Sequence, residues 1–299
     1  MLLQHPPGRG GARPKEWYAV RNWLRYRFPD TDHRSSRTCW TTPMFQISPI
    51  PAFDDNYIWL LTDPGGTTAA VVDPGDEDPV LELLGREGLA LTAILLTHKH
   101  GDHTGGVREL RARYPEVRVY GPATEPIGTL THPVSEGAFV DLGVGGARFA
   151  VLDVPGHTEG HIAYYGEGVL FCGDTLFAGG CGRVFSGTHA QLHASLGRIA
   201  DLPPETMVYC AHEYTQANLG FARWVEPDNP AVAARISDTD TLRAAGEPTV
   251  PSTLALELET NPFLRGDQPV VIAAAERFAG HALRSGAEVF EAIRTWKDR

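Results

Sequence analysis

Thr97-His98-Lys99-His100-Gly101-Asp102-His103-Thr104-Gly105-Gly106 constrains this chain more than any other stretch. Four side chains able to bind a metal fall within six residues, directly after the apolar run Ala93-Ile94-Leu95-Leu96. That run has no polar alternation, so it predicts a strand buried on both faces, with the histidines emerging at its end. Residues two apart in an extended chain share a face, so His98 and His100 can meet one ion. Asp102 and His103 fall where the chain turns toward a helix. Consecutive side chains diverge there, and these two can reach a second ion. A fold that places this segment must end a buried strand at an open face.

Three further segments repeat that placement. Pro155-Gly156-His157-Thr158 follows an expected strand Arg148–Leu152, Cys172-Gly173-Asp174-Thr175 follows Val169–Cys172, and Ala211-His212-Glu213 follows Met207–Cys210. A single histidine or aspartate in a loop is usually a surface or capping residue. Several at the same end of successive strands complete two coordination shells of nitrogen and oxygen donors, open to zinc, iron or manganese.

Shorter signals fill in the rest. Strands are expected at Phe45–Ile50, Tyr57–Thr62, Ala69–Val72, Val117–Tyr120 and Ile162–Tyr165, and helices at Pro79–Leu84, Val107–Tyr114 and Ala190–Leu202, with Gly- and Pro-rich turns between. After His212 the pattern becomes helical, over Thr215–Val225, Pro230–Ala245, Leu254–Glu259, Pro269–Phe278 and Ala287–Trp296, with no strand evident. The expected organisation is an α/β catalytic domain over 44–212 and an appended all-helical domain over 213–299. Residues 1–43 lack any sustained period and read as a disordered extension or a start assigned too early, because Met44 immediately precedes the first strand.

Charge narrows the function. The first 43 residues hold eight Arg and Lys against three Asp and Glu, so the chain total of −11 leaves −16 on residues 44–299. So acidic a body repels nucleic-acid backbones, and a small anionic substrate needs a local cationic patch. At 42% hydrophobic residues the chain has ample core, and no apolar run approaches the roughly 18 residues of a membrane span. Cys39, Cys172, Cys181 and Cys210 form no C-x-x-C pair and no disulfide framework, which places the chain in a reducing cytoplasm.

The order T-H-x-H-x-D-H, G-H-T, G-D-T and H-E-Y resembles the metallo-β-lactamase superfamily. Within it, Ile50–Tyr57, Gly180-Cys181-Gly182-Arg183, Ala211–Thr215, Asn261-Pro262-Phe263-Leu264-Arg265 and the closing Trp296–Arg299 are similar to glyoxalase II, the hydroxyacylglutathione hydrolases, from Met44 onward. The resemblance implies an αββα sandwich with a C-terminal helical domain. It implies two divalent metal ions, zinc in the first place, with His98, His100 and His157 on one, Asp102, His103 and His212 on the other, and Asp174 bridging. Asp102 and Asp174, with a shared hydroxide, form the catalytic set. Two metals lower the pKa of a shared water toward ~7, and hydroxide attacks the thioester carbonyl of S-(2-hydroxyacyl)glutathione. Arg183, Phe185 and Tyr214 are implied at the glutathione moiety and Arg265 at a carboxylate. Some relatives carry Lys at position 183 and Tyr at 185, and Phe185 donates no hydrogen bond. Asp54 and Asn56-Tyr57 are expected to line the site. A monomer without nucleic-acid or membrane partners is expected.

His161, four residues after His157, opens a strand and is read as a supporting or packing residue rather than a ligand. His132, His189, His193 and His281 lack partner spacing, and Cys172, Cys181 and Cys210 read as packed thiols. Rival readings are a persulfide dioxygenase with one iron and a metal-free binding module on the same fold. The H-E-Y segment, the N-P-F-L-R segment and the helical tail speak against the first, and the full set of seven ligands against the second.

Overall fold

A computed structural model describes residues 45–299; the basic stretch 1–43, read above as an extension or a misassigned start, lies outside them. Two six-stranded sheets form the first half. Strands β1 (Gln46–Ala52), β2 (Asn56–Thr62) and β3 (Thr68–Val72) run antiparallel, and β4 (Ala90–Leu95), β5 (Arg118–Pro122) and β6 (His132–Val134) continue the sheet in parallel. Parallel neighbours need crossovers, supplied by α1 (Asp78–Glu87) and by the pair α2 (Gly101–Thr104) and α3 (Val107–Arg113).

The alternation of side chains explains the layering. In β2, Ile58 and Leu60 join the cluster that packs against Val80 and Leu84 of α1 and Val107 and Leu110 of α3. Trp59 and Leu61 point the other way, and the Trp59 ring meets Tyr209 of the second sheet edge-on at 4.8 Å. Both faces are covered, and Ala93, Ile94, Leu95 and Leu96 are fully buried as expected. Ile94, Leu95 and Leu96 each contribute about 1.5–3 kcal/mol.

The second sheet has the order β14 (Ser252–Thr253), β13 (Met207–Cys210), β10 (Val169–Gly173), β9 (Ile162–Gly166), β8 (Arg148–Asp153), β7 (Phe139–Asp141). A small hairpin, β11 (Leu176–Phe177) with β12 (Gly180–Cys181), follows β10, and α4 (His189–Ala200) crosses over to β13. α4 begins on a capping box in which Thr188 accepts from the Gln191 N–H and the Gln191 side chain accepts from Thr188. β8 and β10 each run antiparallel to β9, and β13 runs parallel to β10, so β8, β10 and β13 all end at the same edge.

Five helices follow His212: α5 (Thr215–Val225), α6 (Pro230–Ala244), α7 (Leu254–Thr260), α8 (Pro269–Ala279) and α9 (Gly286–Lys297). The expectation of no strand here needs correcting, because Ser252 and Thr253 pair with Val208 and Met207 and form the edge of the second sheet. Two residues carry no readable period, and their pairing is set by a distant partner. α9 starts on Ser285, whose hydroxyl accepts from the Glu288 N–H, and its buried face of Val289, Phe290, Ile293 and Arg294 packs on α8 and α4.

Candidate metal centre

The four ligand-bearing segments meet above the ends of β4, β8, β10 and β13. His98 Nε2 lies 3.0 Å from His100 Nδ1, which lies 3.0 Å from His157 Nε2. Beside them, Asp102 Oδ2 is 3.4 Å from Nε2 of both His103 and His212. Asp174 stands between the two groups. Its Oδ1 is 3.4 Å from Nε2 of His103 and of His212, and its Oδ2 is 3.4 Å from His157 Nε2. All seven residues singled out in the sequence are therefore brought together. They form three overlapping sets of three with donor atoms within 4.8 Å: His98, His100 and His157; His98, His103 and Asp174; Asp102, His103 and His212.

Four of the five rings are aimed from behind. Nδ1 of His157 donates to the Arg183 carbonyl at 2.8 Å, Nδ1 of His212 faces Asp55 Oδ1 at 2.8 Å, and Nδ1 of His103 faces Asp73 Oδ2 at 3.0 Å. The Thr97 hydroxyl donates to Asp73 and lies 3.1 Å from His98 Nδ1. In the neutral rings these contacts favour the tautomer that leaves Nε2 unprotonated and facing inward. His161 is buried and stacks on His98 at 4.6 Å. Its Nε2 accepts from the Asp174 N–H at 3.2 Å, so it supports the aspartate from outside the cluster. Gly182 closes the back wall. A Cβ there would stand 1.9 Å from the Asp174 carbonyl oxygen, so only glycine lets the two loops touch.

The charges show what the cluster lacks. Burial alone would raise the Asp174 carboxyl, but His103 and His212 outweigh it and hold it well below the usual range. Burial opposes charge on His103 too, yet Asp174 and Asp73 push its pKa well above the ordinary value, and Asp102 and Asp174 lift His212 to about 10. Burial, with His103 and His161 nearby, keeps His98 neutral. Protons on two rings thus balance two carboxylates, and metal ions displace such protons on binding. Nε2 of His103 and Oδ1 of Asp174 are buried without a hydrogen bond, each at a cost of about 1–3 kcal/mol. A cation between them removes that cost, and the nitrogen and oxygen donor set fits divalent metal ions.

Other expectations divide. Tyr214 stacks on His212 at 4.8 Å and 6°, and Phe185 meets His100 and His157 edge-on at 5.2 Å. Phe185, 63% exposed, forms an apolar rim. The Arg183 side chain is exposed and pairs with Asp298. Arg265 requires correction. Its Nε and Nη2 donate to both oxygens of buried Glu226 at 2.8 and 3.0 Å, and Nη1 donates to the Leu258 carbonyl at 3.1 Å. This guanidinium is committed inside the protein and is not offered to a substrate carboxylate. Asp54 is exposed, and its neighbour Asp55 is the carboxylate that meets the site, while Asn56 Nδ2 donates to Asp102 at 3.3 Å and the Tyr57 hydroxyl donates to Glu213. Asp73 was missed altogether. Its signal was a carboxylate directly after a buried strand, in Val72-Asp73-Pro74-Gly75, the same placement that marked Asp174. Burial pushes the thiols of Cys172, Cys210 and Cys181 up, the last two to about 12 and about 11, as suits packed, unreactive sulfur.

Two helix-covered sheets with a histidine- and aspartate-rich centre at their common strand ends define a metallo-β-lactamase-type metal-dependent hydrolase. The metallo-beta-lactamase superfamily model matches residues 52–212, and the model for the hydroxyacylglutathione hydrolase C-terminus matches 213–299. The hydroxyacylglutathione hydrolase of Alkalilimnicola ehrlichii is 55% identical over 256 residues, 86% of this chain and 100% of that protein, and the one from Pseudomonas fluorescens is 54% identical over 260 residues. The chain belongs to the hydroxyacylglutathione hydrolase family. Among solved structures it resembles the B3 metallo-beta-lactamase BLEG-1, at 28% identity and TM-score 0.53, over 74% of this chain and 99% of that one. It also resembles TTHA1623 in a di-iron-bound form, at 29% identity and TM-score 0.52, over 73% and 100%.

Proposed function

We propose that the chain hydrolyses glutathione thioesters of 2-hydroxy acids, S-D-lactoylglutathione in the first place, to glutathione and D-lactate. The observation that carries this reading is the seven-residue centre joined, in one chain, to a C-terminal region of the hydroxyacylglutathione hydrolase type. His98, His100 and His157 would hold one divalent ion and Asp102, His103 and His212 the other. Asp174, with one oxygen toward each group, would serve both. Zinc is the ion we assign, with iron or manganese compatible with the same donors.

When bound, two divalent ions supply Lewis-acid polarisation and an ionised water near neutral pH. The chain's own residues do the rest. Asp73, Asp55 and the Arg183 carbonyl hold the rings in register. Phe185 and Tyr214 wall the approach and limit water around the thioester. The departing thiol has a free pKa of about 8.5, so it leaves as thiolate without a strong general acid, and no serine or cysteine nucleophile is required. The helical segment after His212 is the part we assign to the glutathione moiety. Free thiols at Cys172, Cys181 and Cys210 support a cytoplasmic setting. No helix among the described residues is long and apolar enough to cross a membrane.

The test is a steady-state assay of the metal-loaded protein with S-D-lactoylglutathione, glutathione persulfide plus oxygen, and a β-lactam. Thioester cleavage with a kcat/KM orders of magnitude above the other two is expected. Oxygen uptake with persulfide and no thioester cleavage would overturn the reading.

A further inference from the structure

The small hairpin of β11 and β12 borders both ligand groups. It begins two residues after Asp174 and runs straight into the Gly182-Arg183 turn, whose carbonyl aims His157. Midway, the Phe177 ring meets His212 edge-on at 5.8 Å and Tyr214 at 5.3 Å. A shift of the hairpin is therefore felt at Asp174, His157 and His212 together. Yet two strands of two residues each cannot hold a position alone, since an isolated hairpin is at best marginally stable in water.

What holds it comes from the helical region. Asn218 of α5 donates to the Ala178 carbonyl at 3.0 Å, Glu257 of α7 accepts the Gly179 N–H at 2.9 Å, and Arg294 of α9 donates to the Cys181 carbonyl at 2.9 Å. Asn261, directly after α7 and fully buried, holds both strands. Its Nδ2 lies 3.2 Å from the Phe177 carbonyl, 2.8 Å from the Gly180 carbonyl and 3.1 Å from Glu257 Oε2. Acceptors surround this nitrogen, so the amide cannot turn its oxygen toward them, and that oxygen instead accepts the Phe263 N–H at 3.1 Å. Glu257 is anchored in turn by Arg235 and Ser252. One amide thus ties the hairpin to a buried frame that its neighbours hold by charge.

We infer that Asn261 is a positioning residue for the metal centre: by fixing the hairpin it sets where Asp174 and His157 stand. The inference rests on the two-ion reading and extends it beyond the seven donors. Asn261 hydrogen-bonds none of those donors, and its effect passes through the backbone of β11, β12 and the Gly182-Arg183 turn. The helical region then takes part in metal binding, apart from the substrate role proposed for it.

The experiment compares the full chain with N261A, N218A and V271A. Val271 of α8 is fully buried in the same region, and α8 sends no hydrogen bond to the hairpin among the described residues, so V271A controls for lost stability. N261A is expected to lower metal affinity about tenfold or more, read by competition with a chelating dye, and to shift the visible bands of the cobalt(II)-substituted chain. V271A should lose Tm while keeping the native affinity and bands. N218A, which frees one hairpin carbonyl, should move both readouts in the direction of N261A by less. Amide exchange in the native chain needs no variant. Because coupling is reciprocal, metal loading should slow exchange across residues 254–264 more than across 269–279. Native affinity and bands in N261A, bands in V271A that move as far as those of N261A, or exchange at 254–264 indifferent to metal would each overturn the assignment. If N261A does not fold, N218A and the exchange measurement decide. A native chain that takes up no divalent ion overturns the two-ion reading and this one together, whereas a native chain that binds ions beside an unshifted N261A overturns this one alone.

Discussion

Nδ1 of His103 lies 3.0 Å from Oδ2 of Asp73, and both side chains are buried. The same carboxylate accepts the Thr97 N–H and hydroxyl, each at 2.8 Å. Asp73 thus grips the start and the end of the histidine segment from the end of β3. Its φ of 52° is in the left-handed region, a cost of about 1–2 kcal/mol that the surrounding contacts offset. Asp73→Asn keeps the shape and removes the charge behind His103. Metal affinity should fall about 10- to 100-fold, read by competition with a chelating dye, while circular dichroism stays native. Undiminished affinity would show that His103 is held by packing alone.

Asp174 is the other carboxylate whose loss should be felt twice. With one oxygen toward each histidine group, Asp174→Asn should lower metal stoichiometry and cut kcat more severely than any single histidine substitution. Metal analysis alongside turnover checks this. Two ions bound with full activity would refute the bridging role.

Arg265 should behave as a structural residue. Arg265→Met leaves Glu226, 3% exposed, as an unpaired buried carboxylate, which costs about 3–5 kcal/mol of stability. Urea denaturation should show that loss, and KM for the glutathione thioester should stay within about twofold in the folded fraction. A large KM increase without destabilisation would return Arg265 to the substrate.

Gly182→Ala pushes a methyl group against the Asp174 carbonyl, which is backbone and has little room to yield. His157, whose Nδ1 is 3.2 Å from that Cβ position, moves with it. Activity should drop by more than an order of magnitude with a small change in Tm, since the strain is local. Wild-type turnover would mean the loop has slack.

What could be read from the sequence was what neighbouring residues decide. The buried run ending at Leu96 and the residues His98 to His103 lie within one strand and its exit, so their period and order announce both structure and chemistry. Arg265 misled because its partner, Glu226, is 39 residues away, and nothing local tells an internal ion pair from a substrate cation. Ser252-Thr253 is a strand only because β13 lies alongside. Asp73 carried a usable sign, a carboxylate at the mouth of a buried strand, and went unused because no second ligand stood near it.

The bond from Arg294 to the Cys181 carbonyl spans 113 residues, and this separation sets a sequence in time. Chains emerge from the ribosome at about 5–20 residues per second. Every member of the seven-residue cluster has been made once His212 is added, but the turn that carries Arg183 is not clamped until α9 arrives. About 6–23 s separate the making of Cys181 from that of Arg294 at those rates. During that interval the nascent chain holds all seven candidate ligands, while the turn whose carbonyl aims His157 still lacks its C-terminal clamp.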